Sequence, residues 1–244
     1  MLMKRIGVLA LQGSFVEHIA MLQNLGVEAS PIRLRKQLQD LDGLVIPGGE
    51  STTIAKLMQI YDLTEAIQEL TSNGLPVLGT CAGMVLLSRS ATHPESSSGL
   101  DTIGAINIEV RRNAFGRQIN SFETDISIPA LGEEPFRAIF IRAPIITRAG
   151  TEVEILARLE DGTSVAARQG KVLVCAFHPE LTDDTRFHKY FLELEGRPSP
   201  PTPYLARDVR LPGDKNAHLQ SWHSSDQSYS GGFEWQYKKN SPIY

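Results

Sequence analysis

One cysteine stands between small residues in the stretch Gly79-Thr80-Cys81-Ala82-Gly83. Apolar Leu75-Pro76-Val77-Leu78 precedes it and Met84-Val85-Leu86-Leu87 follows, so Cys81 falls where a strand gives way to a helix. The G-x-C-x-G spacing is that of a nucleophile elbow with cysteine in the serine's place. Such a turn is sharp and strained, and it demands small neighbours, which Gly79, Ala82 and Gly83 supply. The helix opening at Ala82 aims its N-terminal N–H groups at the sulfur, a setting that activates a nucleophile. The Ala82 N–H is also placed to stabilise an oxyanion. The same residues suit a small cysteine packed among glycines, so the motif needs a second group beside it.

A cysteine nucleophile needs a base, and His178 stands out among six histidines. Phe177-His178-Pro179-Glu180 follows the apolar run Val172–Ala176. Pro179 holds its predecessor extended, and residues two apart on an extended segment face the same way. Glu180 therefore approaches the imidazole, fixes its tautomer and leaves the other nitrogen for Cys81, which makes a Cys-His-Glu triad by role. His18 and His188 on predicted helices, His93 in a polar loop, and His218 and His223 near the C-terminus read as surface groups. None is paired at metal-ligand spacing. Cys175, inside Val172–Ala176, reads as core.

Pro47-Gly48-Gly49-Glu50-Ser51 also lies between a strand and a helix. Its glycines permit N–H groups that face a ligand, completing an oxyanion hole of Gly48, Gly49 and Ala82. The peptide between Gly48 and Gly49 can flip at little steric cost, presenting either an N–H or a carbonyl, with Gln12 a candidate contact. No Gly-Lys-Ser/Thr follows, so a phosphate loop is a poor match. Arg111, Arg112 and Arg117, and Arg142 within Ile141-Arg142-Ala143-Pro144, bring guanidinium groups to strand ends, where one can pair with a substrate carboxylate in a fork.

The elements that must hold these groups alternate. Lys4–Leu11 reads as a strand. Ser14 and Glu17 have capping-box spacing for a helix carrying Phe15, Ile19, Leu22 and Leu25, stopped at Gly26. Strands at Gly43–Ile46 and Leu75–Leu78 and helices over Thr52–Tyr61, Thr64–Ser72 and Ala82–Arg89 continue the pattern. That alternation predicts an α/β fold with a mostly parallel central sheet. After Thr92 come strand-like runs at Ile103–Val110, Phe122–Ile128, Ala138–Ile141, Val153–Ala157 and Val172–Phe177, then a closing helix over Thr182–Leu194. Net charge is −4, so no basic surface advertises nucleic acid. No apolar run is long enough for a membrane span, and the N-terminal stretch reads as a strand rather than a signal peptide. Two cysteines form no disulfide framework, and the expected setting is the cytoplasm. The expected division is a catalytic domain over 1–195 and a disordered extension over 196–244. That extension holds six of the 14 prolines, and only Trp222, Phe233 and Trp235 offer apolar anchors.

Together the stretches LQGSFVEH, PGGEST, GTCAGM, RNAFGRQ, FIRAP and FHPEL resemble the class I glutamine amidotransferases, and within them the glutaminase subunits of pyridoxal 5′-phosphate synthase. The resemblance spans about residues 4–194. It implies a flavodoxin-like fold, with Cys81 as nucleophile, His178 as base and Glu180 as orienting acid. It also implies glutamine binding by Gly49, Glu50, Ser51, Arg112, Ile141 and Arg142, and no metal or organic cofactor. The implied reaction is glutamine hydrolysis to glutamate and ammonia. The implied partner is a separate synthase subunit that builds pyridoxal phosphate from ribose 5-phosphate and glyceraldehyde 3-phosphate. The residues alone leave open a cysteine peptidase or deglycase of related fold, a non-catalytic subunit, or another ammonia acceptor.

Overall fold

Residues 3–93, 100–114 and 121–194 are described by the computed structural model. They fall within one unit, Met1–Val209; the other, Arg210–Tyr244, lies outside the described residues, as does the proposed extension over 196–244.

The first strand, β1 (Arg5–Leu9), is buried from Ile6 onward, as a continuous apolar run in a parallel sheet must be. Helix α1 (Phe15–Asn24) returns the chain to β2 (Glu28–Ile32), which pairs parallel with β1. The sequence did not suggest β2, because it contains Ser30 and Pro31. It lies at the end of the sheet, where proline's missing N–H breaks no central ladder. Strand β3 (Gly43–Ile46), helices α2 (Ser51–Ile60) and α3 (Leu63–Ser72), and β4 (Val77–Thr80) follow the predicted alternation. Helix α4 (Ala82–Leu87) is shorter than expected. At Ser88 the backbone becomes extended and enters β5 (Ser88–Thr92), which pairs parallel with β6 (Ile106–Arg111).

Beyond lie β7 (Ser121–Ile126), β8 (Phe136–Ile141), β9 (Ile145–Ala149), β10 (Glu154–Arg158), β11 (Ser164–Gln169), β12 (Val172–Cys175) and α5 (Arg186–Glu193). The main sheet runs β2-β1-β3-β4-β12-β11-β9-β6-β5, with β10 paired to β11, while β7 and β8 form a separate antiparallel ribbon. From β2 to β12 every pairing is parallel; β11 and β9 then insert an antiparallel section. Fully buried Phe136, Phe140, Phe177 and Phe187 pack ring to ring, Phe177 lying 5.3 Å from Phe187 and 5.6 Å from Phe136. This cluster locks β8, the end of β12 and α5 together, and so fixes the residues on either side of Phe177.

Candidate active site

Strands β1, β3, β4 and β12 are neighbours, run parallel and end on the same side of the sheet. Each hands the chain to one part of the site: Gln12–Ser14, Gly48–Glu50, Cys81, and His178–Glu180. The carboxyl edge of a parallel sheet is where α/β folds place their ligands.

Cys81 sits between β4 and α4 at φ 48° and ψ −102°, a conformation rare for a side-chain-bearing residue. Such a geometry costs about 1–3 kcal/mol and persists only where its surroundings enforce it. The Cys81 N–H donates to the Cys175 carbonyl at 2.8 Å, tying the turn to β12. A Cβ on Gly79 would lie 2.7 Å from the Gly83 backbone, and one on Gly83 would overlap the Ile46 carbonyl. The glycines are therefore required by space, and the turn is the elbow that its spacing predicts.

His178 and Glu180 are both buried. Nδ1 of His178 meets Glu180 Oε1 at 2.7 Å, its ring shares the cavity lining with Cys81, and its backbone N–H donates to the Ile139 carbonyl at 2.8 Å. Burial works against a charge on His178, but the polar groups and the charges of Cys81 and Glu180 outweigh it, raising the imidazole to about 10. Burial likewise opposes charge on Glu180. The facing His18, the His178 contact and a hydrogen bond from Ser14 overcome it and hold the carboxyl at about 2. The pair is thus an ion pair, with the protonated ring beside the sulfur.

Two expectations need correction. Ser14 precedes α1 but makes no side-chain cap; its side chain is turned instead to Glu180, where its hydroxyl donates to the buried carboxylate Oε1 at 2.6 Å in a charge-assisted bond. His18 and His188 are not surface groups: both are fully buried, behind Glu180. His93 contacts Asn113, its Nε2 3.1 Å from the amide nitrogen. Cys175 is core as expected, and burial pushes its thiol upward.

The proposed oxyanion donors divide. The Gly48 N–H donates to Thr80 Oγ1 at 3.1 Å and so is already committed, while the Gly48 carbonyl accepts the Ser14 N–H at 3.1 Å. In a trans peptide the next N–H points opposite to that carbonyl, which leaves Gly49 and Ala82 as the candidate donors. Gln12 Oε1 accepts the Glu50 N–H at 2.7 Å and steadies the turn from the other side.

A cavity of about 290 Å3 opens beside Cys81. Gly49, Glu50, Ser51, Arg112, Ile141 and Arg142, the residues matched to glutamine binding, all line it together with Ala82 and His178. Gly48 and Glu180 are not in the lining. Gln12, Val85, Asn113 and Pro144 complete it; of these only Gln12 was singled out from sequence, since the others carry no chemistry that marks them. Glu50 caps α2 by accepting the Thr52 and Thr53 N–H groups at 3.1 and 2.7 Å. Arg112 Nη2 contacts Glu50 Oε1 at 3.3 Å and Thr52 Oγ1 at 3.0 Å, so its guanidinium is held at the cavity by the helix start. Arg142 adopts φ 44° at the strand end. Among the described residues no cluster of histidine, cysteine, aspartate or glutamate is arranged to hold a metal ion, and no helix is long and apolar enough to cross a membrane.

A mostly parallel sheet flanked by helices, with a cysteine elbow at its carboxyl edge, is the arrangement of the class I glutamine amidotransferases, and the likeness to known proteins selects that class. A solved structure described as a glutamine amidotransferase superposes with a TM-score of 0.72 at 45% identity, covering 78% of this chain and 97% of that one. Residues 8–195 match the SNO glutamine amidotransferase family, and the chain belongs to it. A relative from Herpetosiphon aurantiacus, "Pyridoxal 5'-phosphate synthase subunit PdxT", is 56% identical over 78% of this chain and 99% of its own length. One of the same name from Moorella thermoacetica is 54% identical over 79% of this chain and 100% of its own length.

Proposed function

We propose that this chain is the glutaminase subunit of a pyridoxal 5′-phosphate synthase, hydrolysing glutamine to glutamate and ammonia through Cys81, His178 and Glu180. The observation that carries the reading is the buried His178–Glu180 pair, 2.7 Å apart, with His178 lining the same arginine-bordered cavity as Cys81 on its strained elbow. Family membership supplies the substrate class, and the relatives' shared name supplies the partner.

The Cys81 sulfur, as thiolate, attacks the side-chain amide carbon of glutamine. The carbonyl oxygen becomes an oxyanion, which the Gly49 and Ala82 N–H groups stabilise. Protonated His178 gives its proton to the amide nitrogen, ammonia leaves, and a γ-glutamyl thioester remains on Cys81. Neutral His178 then takes a proton from water. The hydroxide attacks the thioester, glutamate departs, and the thiolate–imidazolium pair is restored. Glu180 holds the ring throughout. Arg112 and Arg142 bind the α-carboxylate of glutamine, with Glu50, Ser51 and Ile141 completing the pocket.

Ammonia passes to the synthase subunit, so the two chains act as a hetero-oligomer. Two unpaired, buried cysteines support a reducing compartment, the cytoplasm. Residues 1–195 form the catalytic domain in this reading, since the family match ends at 195. The expected result is that Cys81→Ala abolishes glutamine turnover, measured as glutamate release by chain and synthase together. Pyridoxal phosphate formation by that pair should then need added ammonium. Full turnover by a pure Cys81→Ala preparation would sink the triad. Equal product from glutamine with and without this chain would sink the partnership.

A further inference from the structure

Behind the triad lies a second line of buried polar groups that the mechanism above does not use. Glu180 Oε1 is filled by His178 and Ser14, whereas the buried Oε2 has no well-formed hydrogen bond. His18 Nε2 faces Oε2 at 3.3 Å and also lies 3.1 Å from Thr80 Oγ1. His18 Nδ1 meets His188 Nε2 at 2.9 Å, and His188 Nδ1 is buried without a partner. Thr80 Oγ1 in turn accepts the Gly48 N–H.

These contacts decide where the protons sit. Burial lowers both rings, His188 to about 3, so each is neutral and carries one N–H. If His18 held its proton on Nδ1, its Nε2 lone pair would face the carboxylate, and His188 would keep a buried N–H with no acceptor. Both features are costly. With the proton on Nε2 of each ring, every ring N–H finds an acceptor, and what is left without a partner is the His188 Nδ1 lone pair and the Thr80 hydroxyl hydrogen. Thr80 Oγ1 then accepts from both Gly48 and His18, filling its two lone pairs.

We infer that His188 and His18 form a hydrogen-bond chain that positions the site from behind. The His188 Nε2–H donates to His18 Nδ1, and the His18 Nε2–H is shared between Glu180 Oε2 and Thr80 Oγ1. His18 is thereby a positioning residue for two parts at once: the acid that orients His178, and the turn that carries the oxyanion donor. The inference rests on the proposed triad.

The test begins with the full wild-type chain labelled with 15N-histidine. Long-range 15N–1H correlation at pH 7 should show both His18 and His188 as neutral Nε2–H tautomers. An Nδ1–H tautomer of His18 overturns the chain while leaving the triad standing. Next, His18→Leu should lower kcat for glutamine about tenfold, the scale of partners that orient a reacting group, with KM changed less than about twofold. His18→Gln, whose amide N–H reaches towards the Nε2 position, should recover most of the loss. A folded His18→Leu chain with unchanged kcat, or a loss that His18→Gln does not recover, overturns the assignment. Should His18→Leu fail to fold, the tautomers decide. Turnover by Cys81→Ala would overturn triad and chain together, which distinguishes that failure from an incorrect tautomer.

Discussion

His178 and Glu180 differ in what they do to a proton, and their substitutions should differ accordingly. His178→Asn removes the group that gives a proton to ammonia and later takes one from water, so its loss in kcat should approach that of Cys81→Ala. Glu180→Gln keeps a polar group within reach of Nδ1 but not the charge that raises the ring, and should be milder. Initial rates at saturating glutamine separate the two, and equal, negligible effects would remove the triad. Arg112 acts on binding instead. Its guanidinium is fixed by Glu50 and Thr52 at the cavity. Arg112→Ala should therefore lose a charge-assisted hydrogen bond worth about 1.5–3 kcal/mol, a rise of roughly 10- to 150-fold in KM with kcat largely kept. Unchanged KM would show that the substrate carboxylate binds elsewhere.

Glu50 connects the residue scale to the element scale, because one carboxylate both caps α2 and restrains Arg112. Burial opposes its charge, but the Thr53 and Thr52 hydrogen bonds outweigh it and lower its pKa. Glu50→Ala should cost about 1 kcal/mol of stability through the lost cap and raise KM through a loosened arginine. A urea midpoint and a glutamine titration on one preparation check both halves. The elements also show where local reading ends. The apolar run predicts helix α4 as far as Arg89, yet Ser88–Thr92 pairs with β6, and pairing with another strand outweighs a local helical tendency. Strand β2 hid behind its proline, β9 carries exposed Thr147 and Arg148, and β11 is a run without strict alternation.

For the whole molecule, the buried ionisable groups fix how stability follows pH. His178 is raised from 6.5 to about 10, so its contribution is full below pH 6.5 and is lost as pH rises towards 10. His188 is lowered from 6.5 to about 3, so stability is full above pH 6.5 and is lost as pH falls towards 3. Glu180, lowered from 4.5 to about 2, adds a further loss between those values. These slopes meet near pH 6.5, where the urea midpoint should be highest. In His178→Asn the decline between pH 6.5 and 10 should flatten. An alkaline limb that is the same in both proteins would mean that His178 is not raised in the folded state.

The locally built parts of the site are legible in the chain before it folds. Gly79–Gly83 specifies an elbow because small residues must flank a strained nucleophile. Pro179 marks the turn that carries His178 and Glu180, although the structure makes Pro179–Leu181 a 3-10 turn rather than the extended segment expected, so Glu180 meets His178 through that turn and not by alternation along a strand. Gly48 and Gly49 mark a tight turn at a strand end. The parallel alternation that aligns these segments was legible for the same reason, as hydrophobic period and glycine punctuation are properties of neighbours in the chain. Tertiary structure alone decided what lies behind them. Ser14 reaches Glu180 across 166 residues and His18 reaches His188 across 170. A histidine on a helix reads as a surface group until another element covers it. Only packing of α1 and α5 around the β12 turn turns Ser14, His18 and His188 from cap and surface groups into partners of a buried carboxylate, because burial removes the water that would otherwise satisfy them.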